Sequence, residues 1–214
     1  MTYSSTTRSF LFGILGLLLL IPAAHAQVNP NATLSPYSTT GFSLHLRTSG
    51  HGMAFDGPSD ADGMGLGLRL SYGFSERFAM YLGAEGAGLD GGRGLEGLGS
   101  KEEYGVAYVE LGGRYSFRPT QRLVPYADAS LTIFGLGYDG TGSFDDQEIT
   151  YGGLGLSMGG GVQYFITPTL ALDTGMSFTP GSLLSRWVED DHEDIDLKLV
   201  GARIHFGISV FPFR

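Results

Sequence analysis

From residue 41 onward, large apolar residues alternate with polar residues or glycine in stretches of about ten, and the connections between stretches run long, short, long, short. The stretch Gly63-Met64-Gly65-Leu66-Gly67-Leu68-Arg69-Leu70-Ser71-Tyr72-Gly73-Phe74 is the clearest. Its large apolar side chains fall on one parity, and glycine, arginine and serine on the other. A period of two means a strand, because successive Cβ atoms point to opposite faces. The beat returns in Ala107, Val109, Leu111, Tyr115 and Phe117, opposed by Tyr108, Glu110, Gly112, Arg114 and Ser116. It recurs in Leu154, Leu156, Met158, Val162 and Tyr164, and in Val200, Ala202, Ile204, Phe206, Ile208 and Val210.

Read this way, the chain predicts eight strands at 41–55, 63–74, 78–88, 104–117, 123–136, 151–166, 170–178 and 197–211. Longer loops fall at 56–62, 89–103, 137–150 and 179–196, and tight turns at Ser75-Glu76-Arg77, Arg118-Pro119-Thr120-Gln121-Arg122 and Thr167-Pro168-Thr169. An antiparallel meander that closes on itself puts every second connection at the same end. The expected fold is therefore all-β: an eight-stranded antiparallel up-and-down transmembrane β-barrel, apolar outside and polar in the lumen.

The decisive question is which face is apolar, since a soluble barrel also alternates but turns its apolar residues inward. Arg47, Arg69, Glu85, Glu110, Arg114, Asp128, Asp173 and Arg203 all fall opposite the apolar face, four cations against four anions. His205 shares their parity, and its expected role is to pair with a lumen carboxylate. An eight-stranded barrel is filled by its own side chains, so these groups are expected to neutralise one another. Inward Gly65, Gly67, Gly83, Gly112, Gly155 and Gly159 leave space for long Arg and Tyr side chains. Tyr72, Phe74, Phe78, Tyr115, Phe117 and Tyr164 cluster near the short turns, where an aromatic belt meets the membrane interface. Asp196 and Lys198 break the apolar parity beside the last long loop, at the level of headgroups and water. Met53 and Phe55 share the parity of Arg47, which suggests a bulge near Gly50 or Gly52.

The N-terminus alters the expected domain layout. Arg8, the apolar run Phe10 to Ile21 and the small-residue box Ala24-His25-Ala26 read as a signal peptide over 1–26. Residues 27–40, with Pro30, Asn31, Ser35, Pro36 and Ser38, read as an extended periplasmic leader that need not be ordered, and 41–214 as the barrel domain. A formal charge of −9 argues against nucleic acid as a partner, and the absence of cysteine removes disulfides, thiolate metal sites and lipoprotein attachment.

Several motifs fail on geometry. Gly135-Leu136-Gly137-Tyr138-Asp139-Gly140 fits the dinucleotide glycine pattern, but no helix opens after it to hold a pyrophosphate. Asp60, Asp62 and Gly63 imitate part of a calcium loop whose first and twelfth positions would be Pro58 and Arg69. The run Glu189, Asp190, Asp191, His192, Glu193 and Asp194 reads as a solvated loop that contacts divalent cations weakly. Leu183, Leu184 and Trp187 in the same loop either cover the barrel mouth or rest against lipid. Lipid-modifying barrels need a serine and a histidine close together with a carboxylate, and here His205 is followed by Phe206 and Gly207. No cofactor, metal centre or catalytic constellation is expected.

The chain resembles the small eight-stranded outer-membrane β-barrel family, of the kind seen in OmpX and in the transmembrane portion of OmpA. The likeness rests on the signal peptide, the loop rhythm and the last strand, His205-Phe206-Gly207-Ile208-Ser209-Val210-Phe211-Pro212-Phe213, which is similar to the C-terminal sequence read by the barrel assembly machinery. Pro212 and the terminal Arg214 depart from that pattern. The resemblance implies a non-enzymatic envelope protein of a Gram-negative-type outer membrane, with lipid and lipopolysaccharide as surroundings. Acidic loops would offer contact to divalent cations or a basic protein. The alternatives are a narrow channel for small solutes, a lipid A-modifying enzyme and a soluble ligand-binding barrel.

Overall fold

A computed structural model describes residues 37–55, 60–91, 103–139, 148–188 and 191–213. The expected signal peptide and most of the leader lie outside the described residues. Eight strands run in chain order: β1 (Gly41–Phe55), β2 (Asp60–Gly73), β3 (Phe78–Gly91), β4 (Glu103–Ser116), β5 (Leu123–Asp139), β6 (Glu148–Thr167), β7 (Leu170–Val188) and β8 (Asp191–Phe213). Each pairs antiparallel with its neighbours in sequence, and β1 also pairs with β8, so the sheet closes into a barrel. Gly41 enters β1 at φ 83°, in the left-handed region that a side chain resists. The first turn is held by the Ser75 hydroxyl, which accepts from the amides of Arg77 at 3.3 Å and Phe78 at 3.1 Å.

The apolar face looks outward. Leu46, Leu66, Leu156 and Ile204 are 60, 69, 57 and 66% exposed, values no sealed oily core allows. Register lines them up across strands, Leu46 opposite both Leu68 and Ile208, and Leu131 opposite both Leu111 and Leu156. A continuous apolar belt of this kind fits a hydrocarbon surround, not water. Phe74, Phe78, Phe117 and Tyr164 are exposed at the turn end, with Tyr72 and Tyr115 set edge-on between them.

The interior is stacked in three layers. At the turn end, Val124, Phe165, Ala171 and Phe211 form a small apolar floor against which Tyr37 packs. The leader is therefore ordered over its last residues: Ser38 is fully buried, and Thr39 donates its hydroxyl to the Glu76 carbonyl at 2.7 Å. The charged residues occupy the middle. At the loop end a second apolar core gathers Met53, Phe55, Leu89, Tyr104, Val106, Phe134, Leu136, Tyr151, Leu183 and Leu199.

That upper core corrects two expectations. No bulge lies near Gly50 or Gly52, because both ladders of β1 run unbroken there. Met53 and Phe55 face inward because the lumen itself turns apolar at that height. The expected loop over 179–196 is mostly a strand hairpin, with β7 reaching Val188 and β8 starting at Asp191. In this hairpin the alternation is inverted: Leu183 and Leu199 are buried and Ile195 and Leu197 partly so, while His192, Asp194, Asp196 and Lys198 face out. Register shifts do occur higher up: Leu184 is the extra residue of β7 where Gly152 and Gly153 of β6 face Ser185 and Leu183, and Ile195 and Asp196 of β8 together face Leu184. Another lies opposite Phe42 and Leu44, where Phe211 and Pro212 are accommodated. Proline has no amide hydrogen for the ladder, so a bulge is its natural place in a strand.

Candidate functional site

The middle layer is built by strand parity. Arg47 on β1, Arg69 on β2, Glu85 on β3, Glu110 and Arg114 on β4, Asp128 on β5, Asp173 on β7 and Arg203 on β8 occupy inward positions. All but Asp128, which is half-buried, are buried. Close approach needs bare backbone opposite the long side chains. A Cβ on Gly67 would lie 3.0 Å from Arg47 Nε and from Glu85 Oε2, and one on Gly112 would lie 2.6 Å from Tyr81 Cζ.

The eight groups form one linked network. Glu85 Oε2 lies 2.6 Å from Arg47 Nη2 and 3.7 Å from Arg203 Nη1. Glu110 is the hub: Arg47 and Arg69 donate to Oε2 at 3.1 and 3.4 Å, and Arg203 donates to Oε1. Arg69 passes the chain to Asp128 at 2.9 Å. Arg114 then donates to Asp128 Oδ1 at 2.8 Å and to Asp173 Oδ2 at 3.0 Å. His205 Nε2 ends the series 3.1 Å from Asp173 Oδ1. Leaving one partner of such a group alone in a low-dielectric interior is strongly unfavourable, and the continuous pairing avoids it.

Sequence reasoning missed several members of this layer. His51 lies 2.7 Å from Glu85, and the Ser49 hydroxyl also donates to that carboxylate. Three tyrosines sit beneath guanidinium groups, Tyr81 under Arg69 at 3.8 Å, Tyr126 under Arg114 at 3.5 Å and Tyr108 under Arg203 at 4.8 Å. Tyr126 also donates its hydroxyl to Asp173 at 2.8 Å. His45 is hydrogen-bonded to Ser209 at 2.7 Å and to Ser43 at 3.0 Å. All of these share inward parity with a charged residue two or four positions away, which is the pattern that would have found them.

Chemically, this arrangement neutralises charge and fills space. Spaces of about 10 Å³ lie among its side chains, one lined by Arg69, Glu110 and Asp128 and another by His45, Arg114 and Asp173. Each has room for at most a single water. The hydroxyls around His45 satisfy a ring enclosed within the lumen, beside Phe211.

The acidic run lies on the β7–β8 hairpin. Glu189 and Asp190 fall outside the described residues. His192 Nε2 lies 3.7 Å from Asp194 Oδ1, and Glu193 lies 3.6 Å from Arg186 on β7. A strand sends successive side chains to opposite faces, which divides the run, and among the described residues no group of three acidic or histidine side chains converges as a metal site.

A search of curated proteins finds no match to this chain. Among solved structures, the chain is similar to Neisserial surface protein A at 16% identity, over 80% of this chain and 97% of that one, with a TM-score of 0.57. It is similar to the outer membrane protein OprG from Pseudomonas aeruginosa at 13% identity, over 83 and 98% of the two chains, with a TM-score of 0.55. The outer membrane protein AlkL, solved in lipid bilayers, matches at 15% identity over 86 and 95%, with a TM-score of 0.53. These likenesses are in fold. The family model of the outer membrane protein beta-barrel domain matches residues 13–202. With that match spanning most of the sequence and a closed eight-stranded barrel that is greasy outside and ionic within, the chain belongs to the outer-membrane β-barrel domain family.

Proposed function

We propose that this protein is a non-enzymatic integral outer-membrane barrel of a Gram-negative-type cell, exported by the segment at 1–26. Its role is structural: it resides stably in the envelope and turns an acidic loop end outward to meet cations or a basic partner. The filled lumen carries this reading. The charged layer is interlocked, with an apolar floor on one side and an apolar core on the other, and among the described residues the spaces beside the charged groups are about 10 Å³, which leaves little room for water along the axis. The lipid-modifying alternative finds little support in His205, whose ring partners are Tyr126 and Asp173.

Planar-bilayer recording tests the structural role directly. The purified barrel is expected to give no steady single-channel conductance, and reproducible unitary steps would favour the narrow-channel alternative instead. Calorimetric titration with calcium is expected to show weak binding that fades as salt rises, because exposed charges are screened within about 8 Å at physiological ionic strength. A flat titration removes the cation part of the proposal.

A further inference from the structure

The outward wall is not evenly covered. On β1 the large residues Phe42, Leu44 and Leu46 give way to Gly50 and Gly52, and a Cβ added at either would meet nothing within 4 Å. Register places Gly52 beside Ala202 and Ala202 beside Phe178, and one row down it places Gly50 beside Ile204 and Ile204 beside Met176. The result is an apolar groove of about 310 Å³ with Gly50, Gly52 and Ala202 as its floor and Met176, Phe178 and Ile204 along one side. That is a volume typical of small-ligand sites.

What stands above the groove identifies its occupant. The outward face of β8 is apolar from Val210 to Val200, through Ile208, Phe206, Ile204 and Ala202. A tilted strand needs about 9–11 residues to cross hydrocarbon, so Lys198, the next outward residue, stands at headgroup height. It lies about 13 Å along the strand from Ala202. Its outward neighbours on the strand, Asp196 and Asp194, are acidic and exposed, so on this stretch Lys198 alone attracts an anion. A thin apolar slot within the hydrocarbon belt, crowned on the outward face of its own strand by Lys198 as the one cation among the described residues there, matches a phosphate joined to an acyl chain. We propose that the barrel holds one phosphorylated lipid, its acyl chain in the groove and its phosphate on Lys198. This rests on the membrane-barrel reading above.

Native mass spectrometry of the full chain in detergent, supplied with phosphatidylglycerol or with diacylglycerol of the same chains, tests it. Phosphatidylglycerol is expected to stay bound at one per barrel. Lys198→Gln should reduce its retention about fivefold while leaving diacylglycerol unchanged. Filling the slot with Gly50→Leu and Gly52→Leu together should reduce both by about tenfold or more. Equal retention in wild type and Lys198→Gln overturns the phosphate contact, and equal retention after filling overturns the groove. A two-chain species that disappears on filling would assign this face to a second copy and refute the lipid. Heat-modifiable migration on gels checks each barrel: a wild-type chain without it refutes the barrel reading itself, whereas a heat-modifiable barrel that keeps no lipid refutes only this inference. Should the leucine variant fail to fold, the lipid dependence of Lys198→Gln decides alone.

Discussion

Replacing Glu110 by glutamine preserves the shape of the hub and removes its charge. Three guanidinium groups point at this carboxylate, from Arg47, Arg69 and Arg203. Each retains a second acid: Arg47 keeps Glu85 at 2.6 Å, Arg203 keeps Glu85 at 3.7 Å and Arg69 keeps Asp128 at 2.9 Å. Breaking a buried pair costs about 3–5 kcal/mol, and the remaining partners put Glu110→Gln at the low end, about 3 kcal/mol. With a urea slope of about 2 kcal/mol/M, the unfolding midpoint should fall by about 1.5 M. Unfolding can be followed in lipid vesicles through Trp187, the single tryptophan of the chain. Adding Glu85→Gln strips Arg47 and Arg203 of both carboxylates, so the double variant should lose more than the two singles combined. A midpoint within about 0.3 M of wild type for Glu110→Gln would place these ions in the 0–1 kcal/mol class of solvated pairs and refute the dry, interlocked lumen.

Other substitutions probe the remaining layers by the same unfolding assay. Leu156→Arg, on the outward belt, should cost about 2–4 kcal/mol in vesicles, whereas a soluble barrel would tolerate it at the surface. Gly67→Val drives a side chain against Arg47 and Glu85 and should cost about 1–3 kcal/mol, while the same change at Gly86, where an added Cβ meets nothing within 4 Å, should be close to neutral. Phe134→Ala should cost about 3–5 kcal/mol by hollowing the upper core, yet leave the bilayer electrically silent because the ionic layer still blocks the axis.

The strand rhythm and lumen parity were legible because one rule governs the membrane-crossing part of every strand. β1 was readable from Gly41 to Phe55, and β3, β4 and β5 within a few residues at their turn ends. What escaped was the loop end. Beyond Phe178 and up to Leu197 the chain still alternates, but Leu183, Ile195 and Leu197 have moved to the inner face, while Asp194 and Asp196 take the outer face of β8 and Leu184 and Trp187 stay exposed on β7. A reading that equates the apolar face with lipid sees this reversal as a loop, and it treated Met53 and Phe55 as a slipped register. Both anomalies have one cause, a change of surroundings from hydrocarbon to water. The hub role of Glu110 was not legible, because periodicity tells which residues face the axis but not which of them meet across it.

The reversal of faces also gives the barrel its own waterline. On β8 the change falls between Val200 and Lys198, within a single outward step. Sinking the molecule would draw Lys198 and Asp196 toward oil, where an exposed lysine costs up to about 2–4 kcal/mol by the midplane, and lifting it would bare Val200 and Ile204 to water. The draught of the barrel in its bilayer is therefore inscribed along the strand itself, independent of any tether or neighbour.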